Sequence, residues 1–441
     1  MKIKITVILM VCAMFITNAQ MKKWTLVECI DYAVENNLTI KQFELDLENA
    51  KIDESDAIGA LIPSLNGSST ISSNTGLSFN PTTNAPTTNT ILNVSGNLSS
   101  NLTLFDGLRN FKRIQRARLN GIANQYRVDD IKDDIRLNVA NAYLQVLSNK
   151  ESLKTFRAQL AVTEQDLKRT KELVESGVSP KGDLLDIEAT AANQEQQVVN
   201  GESLVLISRI NLAQLLQITD YENFDIAEET YNIPPSDILN NSAKEIFDKA
   251  LTFRNDVKLS QANVELAEKD VEIAKGARYP TLTGFFNYNT RYSDQNDALG
   301  DFFDQLWIFD GISYGAQLNV PIFNGWSARN NIKRAKISLD ISKVQFEQQK
   351  LELETNVNQA YVDVTTFYKA YVAAEKTLEA RRLAYEYARE RFEVGLMNSF
   401  DFSQAQARVD NAEADVIRTK YDYILRLKVL EFYFDIPISL N

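Results

Sequence analysis

The feature that most constrains this chain is an internal duplication. Phe105-Asp106-Gly107 recurs as Phe323-Asn324-Gly325, Ile114-Gln115-Arg116-Ala117 as Ile332-Lys333-Arg334-Ala335, and Asn138-Val139 with Ala142-Tyr143 as Asn356-Val357 with Ala360-Tyr361. Gly177 and Asp183 return as Gly395 and Asp401, and each pair is 218 positions apart. A register kept over about 80 residues without insertion implies two halves built alike.

Each half reads as a helix, two strands, a very long helix, a tight turn and a returning helix. The opening helices are expected from Thr25 to Ala60 and from Ser242 to Ala277, ended by Pro63 and Pro280. Beyond each proline the apolar period shortens to two. Leu92, Val94, Leu98, Leu102 and Leu104 alternate with Asn93, Ser95, Asn97, Ser99, Asn101 and Thr103, and Ile312, Tyr314, Ala316, Leu318, Val320 and Ile322 alternate with Ser313, Gly315, Gln317 and Asn319. Leu65 to Phe79 and Leu282 to Tyr292 supply a partner strand in each half, joined through the turn-rich segments Pro81 to Thr90 and Asp294 to Gly311. A soluble sheet with one wet face would share the alternation. The strand lengths and aromatic ends (Phe79, Phe105, Tyr292, Phe323) fit a membrane barrel better. Closing such a barrel takes about eight strands, so four per chain require several copies to share one.

From Leu108 to Ser176 there is no proline, and an apolar-biased seam runs through Val139, Ala142, Val146, Asn149, Leu153, Phe156, Leu160, Thr163, Leu167, Thr170 and Val174. Shifted by 218 it becomes Val357, Ala360, Val364, Phe367, Tyr371, Ala374, Leu378, Arg381, Tyr385, Ala388 and Phe392. Spacings that alternate three and four are heptads, and a helix of this length spans about 100 Å. Its mixed small, large and polar seam suits a cylinder of side-by-side helices better than a two-stranded zipper. Each rod turns at a glycine, Gly177 or Gly395, with Ser179 and Asn398 placed to cap the returning helix.

Composition narrows the function. Lys2 and Lys4 precede an apolar run from Ile5 to Ile16 and small residues at Thr17 and Ala19, the pattern of a leader cleaved after residue 19. No later segment is apolar and long enough for a membrane helix. Beyond Cys12 in the leader only Cys29 remains, so no intramolecular disulfide is available, and there is no histidine. That leaves little for a catalytic or zinc site, and no cofactor is expected. The net charge of −12 falls to −14 without Lys2 and Lys4, which argues against nucleic acid as a partner. The carboxylates at Asp129-Asp130 and Asp133-Asp134 sit among Arg127, Lys132 and Arg136, the pattern of a solvated salt-bridging face.

The residues resemble the TolC family of outer-membrane efflux proteins. Carrying the resemblance are Leu26-Val27-Glu28-Cys29-Ile30-Asp31-Tyr32-Ala33-Val34-Glu35-Asn36-Asn37, then Leu61-Ile62-Pro63-Ser64-Leu65, the Phe-Asp/Asn-Gly signature after the second strand of each half, and the two tips with an aspartate six residues beyond the glycine. The resemblance implies a mainly α chain with a β-barrel part. It implies a homotrimer that forms a twelve-stranded outer-membrane barrel in lipid and a long periplasmic tunnel of α-helices. The partners it implies are a periplasmic adaptor and an inner-membrane transporter of an efflux or type I secretion system. The parts are then a leader at 1–19, an opening helix at 20–64, a barrel hairpin at 65–105 and a tunnel hairpin at 106–218. An equatorial linker at 219–241 follows, then the second helix, barrel hairpin and tunnel hairpin at 242–280, 281–323 and 324–434, and a tail at 435–441. By the same resemblance Asp183 and Asp401 line the narrow entrance, with Asp186 one turn on. Gln404 stands where the second half would carry the matching acid, and Phe392 stands where some relatives have an aromatic gate. The tips Gly177, Ser179, Gly395, Leu396 and Asn398 would meet the adaptor. Three copies of each aspartate would attract cations; alternatively, Asp183 and Asp401 serve the dipole at the start of each returning helix. The competing reading is an exported coiled-coil structural or adhesive protein, against which the duplicated strand pairs argue.

Overall fold

The computed structural model describes residues 23–79, 84–227, 233 and 237–438. The expected leader lies outside them, as do parts of the 81–90 connection, of the 219–241 segment and of the tail. The chain divides into two units. Glu44–Arg127 and Lys258–Gln348 form one, called here the sheet unit; Met1–Phe43, Val128–Val257 and Gln349–Asn441 make up the other, the hairpin unit.

The sheet unit is built on four antiparallel strands in the order β2 (Ser64–Phe79), β3 (Pro86–Phe105), β5 (Thr281–Ser293) and β6 (Gly311–Asn319). The two hairpins join through β3 and β5, with Leu98 opposite Tyr288 and Ser99 opposite Asn287. Period-two alternation is kept across all four strands. Leu65, Ile71, Leu98, Leu102, Phe286, Tyr288, Ile312, Tyr314 and Leu318 share one face, while Asn66, Thr70, Asn97, Ser99, Asn287, Ser313 and Gln317 share the other. The apolar face has no cover: Ile71 is 72% and Tyr314 80% exposed. Phe285 is an aromatic on the polar face, and Gly315 opposite it leaves room that a side chain would close to 3.0 Å.

Three expectations for these segments need correction. The last strand ends at Asn319 rather than Ile322, because Pro321 has no N–H to extend the ladder. The 294–311 connection is not open loop. It holds a 3-10 turn, Asp294–Leu299, and helix α7, Phe302–Ile308, started by a reciprocal Asp301/Asp304 capping box. Each opening helix is broken in two: α1 (Leu26–Asn36) and α2 (Leu38–Gly59) in the first half, α5 (Ala243–Phe253) and α6 (Asn255–Gly276) in the second. Asn37 takes extended angles, accepts from the Thr39 N–H at 2.9 Å, and donates to the Leu215 carbonyl at 3.2 Å, so its side chain restarts the helix. Arg254 occupies the matching break.

The duplication extends to backbone angles. α3 (Arg109–Glu175) and α8 (Ser327–Glu393) each have 67 residues at the 218 offset. Each follows two residues of positive φ, Gly107 and Leu108 at 71° and 63°, Gly325 and Trp326 at 59° and 63°. Gln217 and Asp435, also 218 apart, repeat the conformation at 60° and 64° beyond the returning helices. A left-handed leucine or tryptophan costs about 1–2 kcal/mol, so both halves accept strain to turn from strand into helix. Asp106 accepts from the Asn110 N–H at 3.0 Å to cap the first of these turns.

In the hairpin unit α3 turns back into α4 (Lys181–Leu215), and α8 into α9 (Ser399–Phe432). The seam residues of both long helices are buried or half-buried, with the exception of Arg381, whose charge keeps it exposed. The core gathers Leu26, Cys29 and Ala33 of α1, Val139, Tyr143 and Val146 of α3, Leu212 of α4 and Ile424 of α9. Beside it β1 (Lys23–Trp24) pairs in parallel with β4 (Asp225–Ile226). The aspartates near the start of this unit are not simply a solvated face. Arg136 does pair with Asp133 at 2.8 Å, but Asp130 and Asp134 turn toward the buried Arg254. Burial, with Asp256 nearby, pushes Asp130 up to about 6. Arg254 donates twice to Asp256 at 3.1 Å and lies over the Phe432 and Tyr433 rings.

Candidate functional site

The two hairpin tips are closed by the same backbone device. At the first, the Val178 N–H reaches the Leu173 carbonyl at 2.9 Å and the Gly177 N–H reaches Val174 at 3.0 Å. At the second, Leu396 reaches Arg391 at 2.8 Å and Gly395 reaches Phe392 at 3.0 Å. This paired closure requires a left-handed residue, supplied by Gly177 and Gly395 at φ of 75° and 78°. The caps then differ. Asn398 caps α9, accepting from the Asp401 N–H at 2.8 Å and donating to its carboxylate at 3.0 Å. Ser179 does not cap α4: Pro180 occupies that position and makes no side-chain bond, since its fixed φ already suits a helix start.

Between the tips lies a cavity of about 480 Å³. Among the expected site residues it brings together Ser179, Asp183, Phe392, Gly395, Leu396 and Asn398. Its charged wall, Asp166, Arg169, Arg389 and Glu393, was not singled out from sequence. Arg169 pairs with Glu393 across the two hairpins at 3.2 Å, and burial raises the Asp166 carboxyl above its ordinary range. The available signal was position, because Asp166 and Arg169 flank the seam residues Leu167 and Thr170.

The remaining acidic and amide candidates stand apart. Asp186 accepts from the Ser399 hydroxyl at 2.7 Å, tying α4 to the start of α9. Asp401 is exposed and held by Asn398, and Gln404 accepts from Arg408 at 2.6 Å. Phe392 stacks on buried Phe402 with ring centres 4.6 Å apart and planes 4° from parallel, and Tyr385 stacks on Phe402 at 5.6 Å. Phe392 thus packs the end of the seam while its edge borders the cavity. Behind the tips a polar ladder joins the hairpins. Gln406 donates to Thr163 at 2.7 Å, Gln159 to Glu413 at 2.9 Å, and Gln194 to Asp410 at 2.8 Å. Burial pushes Asp410 up to about 6. Among the described residues no helix is long and apolar enough to cross a membrane, and no acidic or cysteine cluster could hold a metal.

The sequence model of the family described as outer membrane efflux protein matches residues 29–216 and again 246–433, one match per half. The chain is 24% identical over 293 residues to the outer membrane protein TolC of Vibrio cholerae, covering 66% of this chain and 65% of that one. It is 27% identical over 163 residues to the outer membrane efflux protein BepC of Brucella suis, covering 37% and 34%. These alignments span less than two thirds of either relative. The crystal structure of the Campylobacter jejuni CmeC outer membrane channel superposes with a TM-score of 0.79 at 18% identity, over 93% of this chain and 85% of that one. At that identity the likeness is one of fold.

Proposed function

The chain belongs to the outer membrane efflux protein family, and from that membership we propose that it is the passive outer-membrane duct of a tripartite efflux or type I secretion system. The family consists of channels of the Gram-negative outer membrane and periplasm, not of enzymes. Three copies pool their four-stranded sheets into one twelve-stranded barrel, with the long hairpins forming a tunnel below it. An inner-membrane transporter and a periplasmic adaptor engage the tips and load the duct.

The observation that carries this reading is the four-stranded sheet with an uncovered apolar face and two open edges, β2 and β6. Unpaired edge N–H and C=O groups are not tolerated in hydrocarbon, so a lipid-facing sheet has to close on further copies. The tips are the proposed control point. Asp183 borders the cavity between them, and Asp186 and Asp401 stand within the first turns beyond the glycines. The segments 219–241 and 435–441 are proposed to form an equatorial band. Detergent-purified protein is expected to be trimeric and to conduct ions in planar bilayers. A monomer that stays in solution without detergent and gives no conductance would favour the exported coiled-coil reading instead.

A further inference from the structure

The sheet unit holds one half-to-half junction made within the chain, and the duplication specifies a second that the single chain leaves open. In the made junction, the Gly107 turn of the first half sits on the end of α6 in the second. A side chain at Gly107 would meet the Gly276 carbonyl oxygen at 2.4 Å, and one at Gly276 would meet Arg109 at 2.4 Å. Arg116 pairs with Asp270 at 2.6 Å, and β3 lies beside β5. Exchanging the halves replaces Gly107 by Gly325, Arg116 by Arg334 and β3 by β6 at the 218 offset. It replaces Gly276 by Gly59, Asp270 by Asp53 and β5 by β2 at the 217 offset that relates Leu38–Gly59 to Asn255–Gly276.

Each counterpart is present and unused. Nothing lies within 4 Å of a side chain placed at Gly325 or Gly59. Asp53 and Arg334 are both exposed, and β6 and β2 are the two free edges of the sheet. Ala123 and Ala262 are buried in the made junction's helices, whereas their counterparts Ile341 and Leu45 are 53% and 49% exposed. Charge matching is preserved: Arg334 faces Asp53 as Arg116 faces Asp270, and the second ion pair, Lys112 with Glu272, becomes neutral Asn330 with Ser55.

We infer that a second copy of this chain completes the junction, with the Gly325 turn and β6 of one copy docked on the Gly59 helix end and β2 of the next. Arg334 then pairs with Asp53 of the neighbouring copy. The strand register follows from Ser99 opposite Asn287 and sets Gln317 opposite Thr70, both on the polar face. The contact joins two different surfaces, so repetition closes a ring rather than a two-fold dimer. The inference rests on the oligomeric duct proposed above and adds its register.

The test uses full-length protein, in which Cys29 is buried. Thr70→Cys with Gln317→Cys, oxidised in membranes, is expected to give a ladder of covalent oligomers. Asn74→Cys with Gln317→Cys, displaced four residues along the same face and about 13 Å away, is expected to give under a tenth of that yield. Asp53→Arg and Arg334→Asp should each lower the temperature at which the oligomer dissociates in detergent, and the double exchange should restore it. An assembled, conducting oligomer whose cross-links favour Asn74→Cys, or in which the double exchange restores nothing, overturns the register while leaving the duct intact. Cross-links in the expected register from a protein that conducts nothing would instead overturn the duct.

Discussion

Asp410 illustrates how a single residue responds to burial between hairpins. Its only printed stabilising contact is the Gln194 amide at 2.8 Å, and burial lifts its carboxyl to about 6 from a reference of 3.8. A folded-state value above the unfolded one means that the fold binds the proton more tightly. Stability is therefore fully present only below about pH 4, and it falls as the pH rises through the window from about 4 to 6. Asp410→Asn keeps an acceptor for Gln194 and removes the ionisation penalty. Allowing for partial exposure, the variant is expected to gain on the order of 1 kcal/mol at pH 7.5 and nothing near pH 4. Thermal midpoints across that range check this. A gain that does not change with pH would mean the carboxyl is not the cause.

Among the elements, the breaks in the opening helices matter most. Polar capping boxes begin both: Thr25 with Glu28, and Ser242 with Glu245. A second polar side chain then interrupts each helix one residue after Asn36 or Phe253. In the second half that residue is Arg254, buried with Asp256, Asp130 and Asp134 around it. Replacing it by methionine fills a similar volume and strands three carboxylates in a half-buried site. A loss of about 3–5 kcal/mol is expected in denaturant titrations at pH 7.5, shrinking at pH 5 as Asp130 takes up a proton. A loss under about 1 kcal/mol at pH 7.5 would show the cluster to be solvated and the break to be held by packing alone.

For the whole molecule, the question is whether the tip carboxylates face the conducted path. Neutralising Asp183, Asp186 and Asp401 together to asparagine preserves the Ser399 contact, since an amide oxygen still accepts. If three copies surround the path, cation-over-anion selectivity in single-channel recordings should drop roughly severalfold. Unchanged selectivity would place these residues outside the path and leave them as helix-start charges.

Much of this molecule was legible in its sequence. Periodicity located the long helices and the strand faces, because heptad and period-two patterns reflect which side must be apolar whatever surrounds it. The glycines at 107, 177, 325 and 395 marked turns through the conformations they permit. Strand number implied further copies, because an open edge cannot face lipid. Only the tertiary structure decided which polar residues are buried and what they meet. Asp130, Gln194 and Asp410 look like surface residues in a polar sequence, and Ser179 looks like a cap. Their state depends on helices hundreds of residues away, and no local pattern encodes that. The pairing of β3 with β5 was decided in the same way. It joins the halves through strands 180 residues apart, and it turned a repeated sequence into a repeated junction.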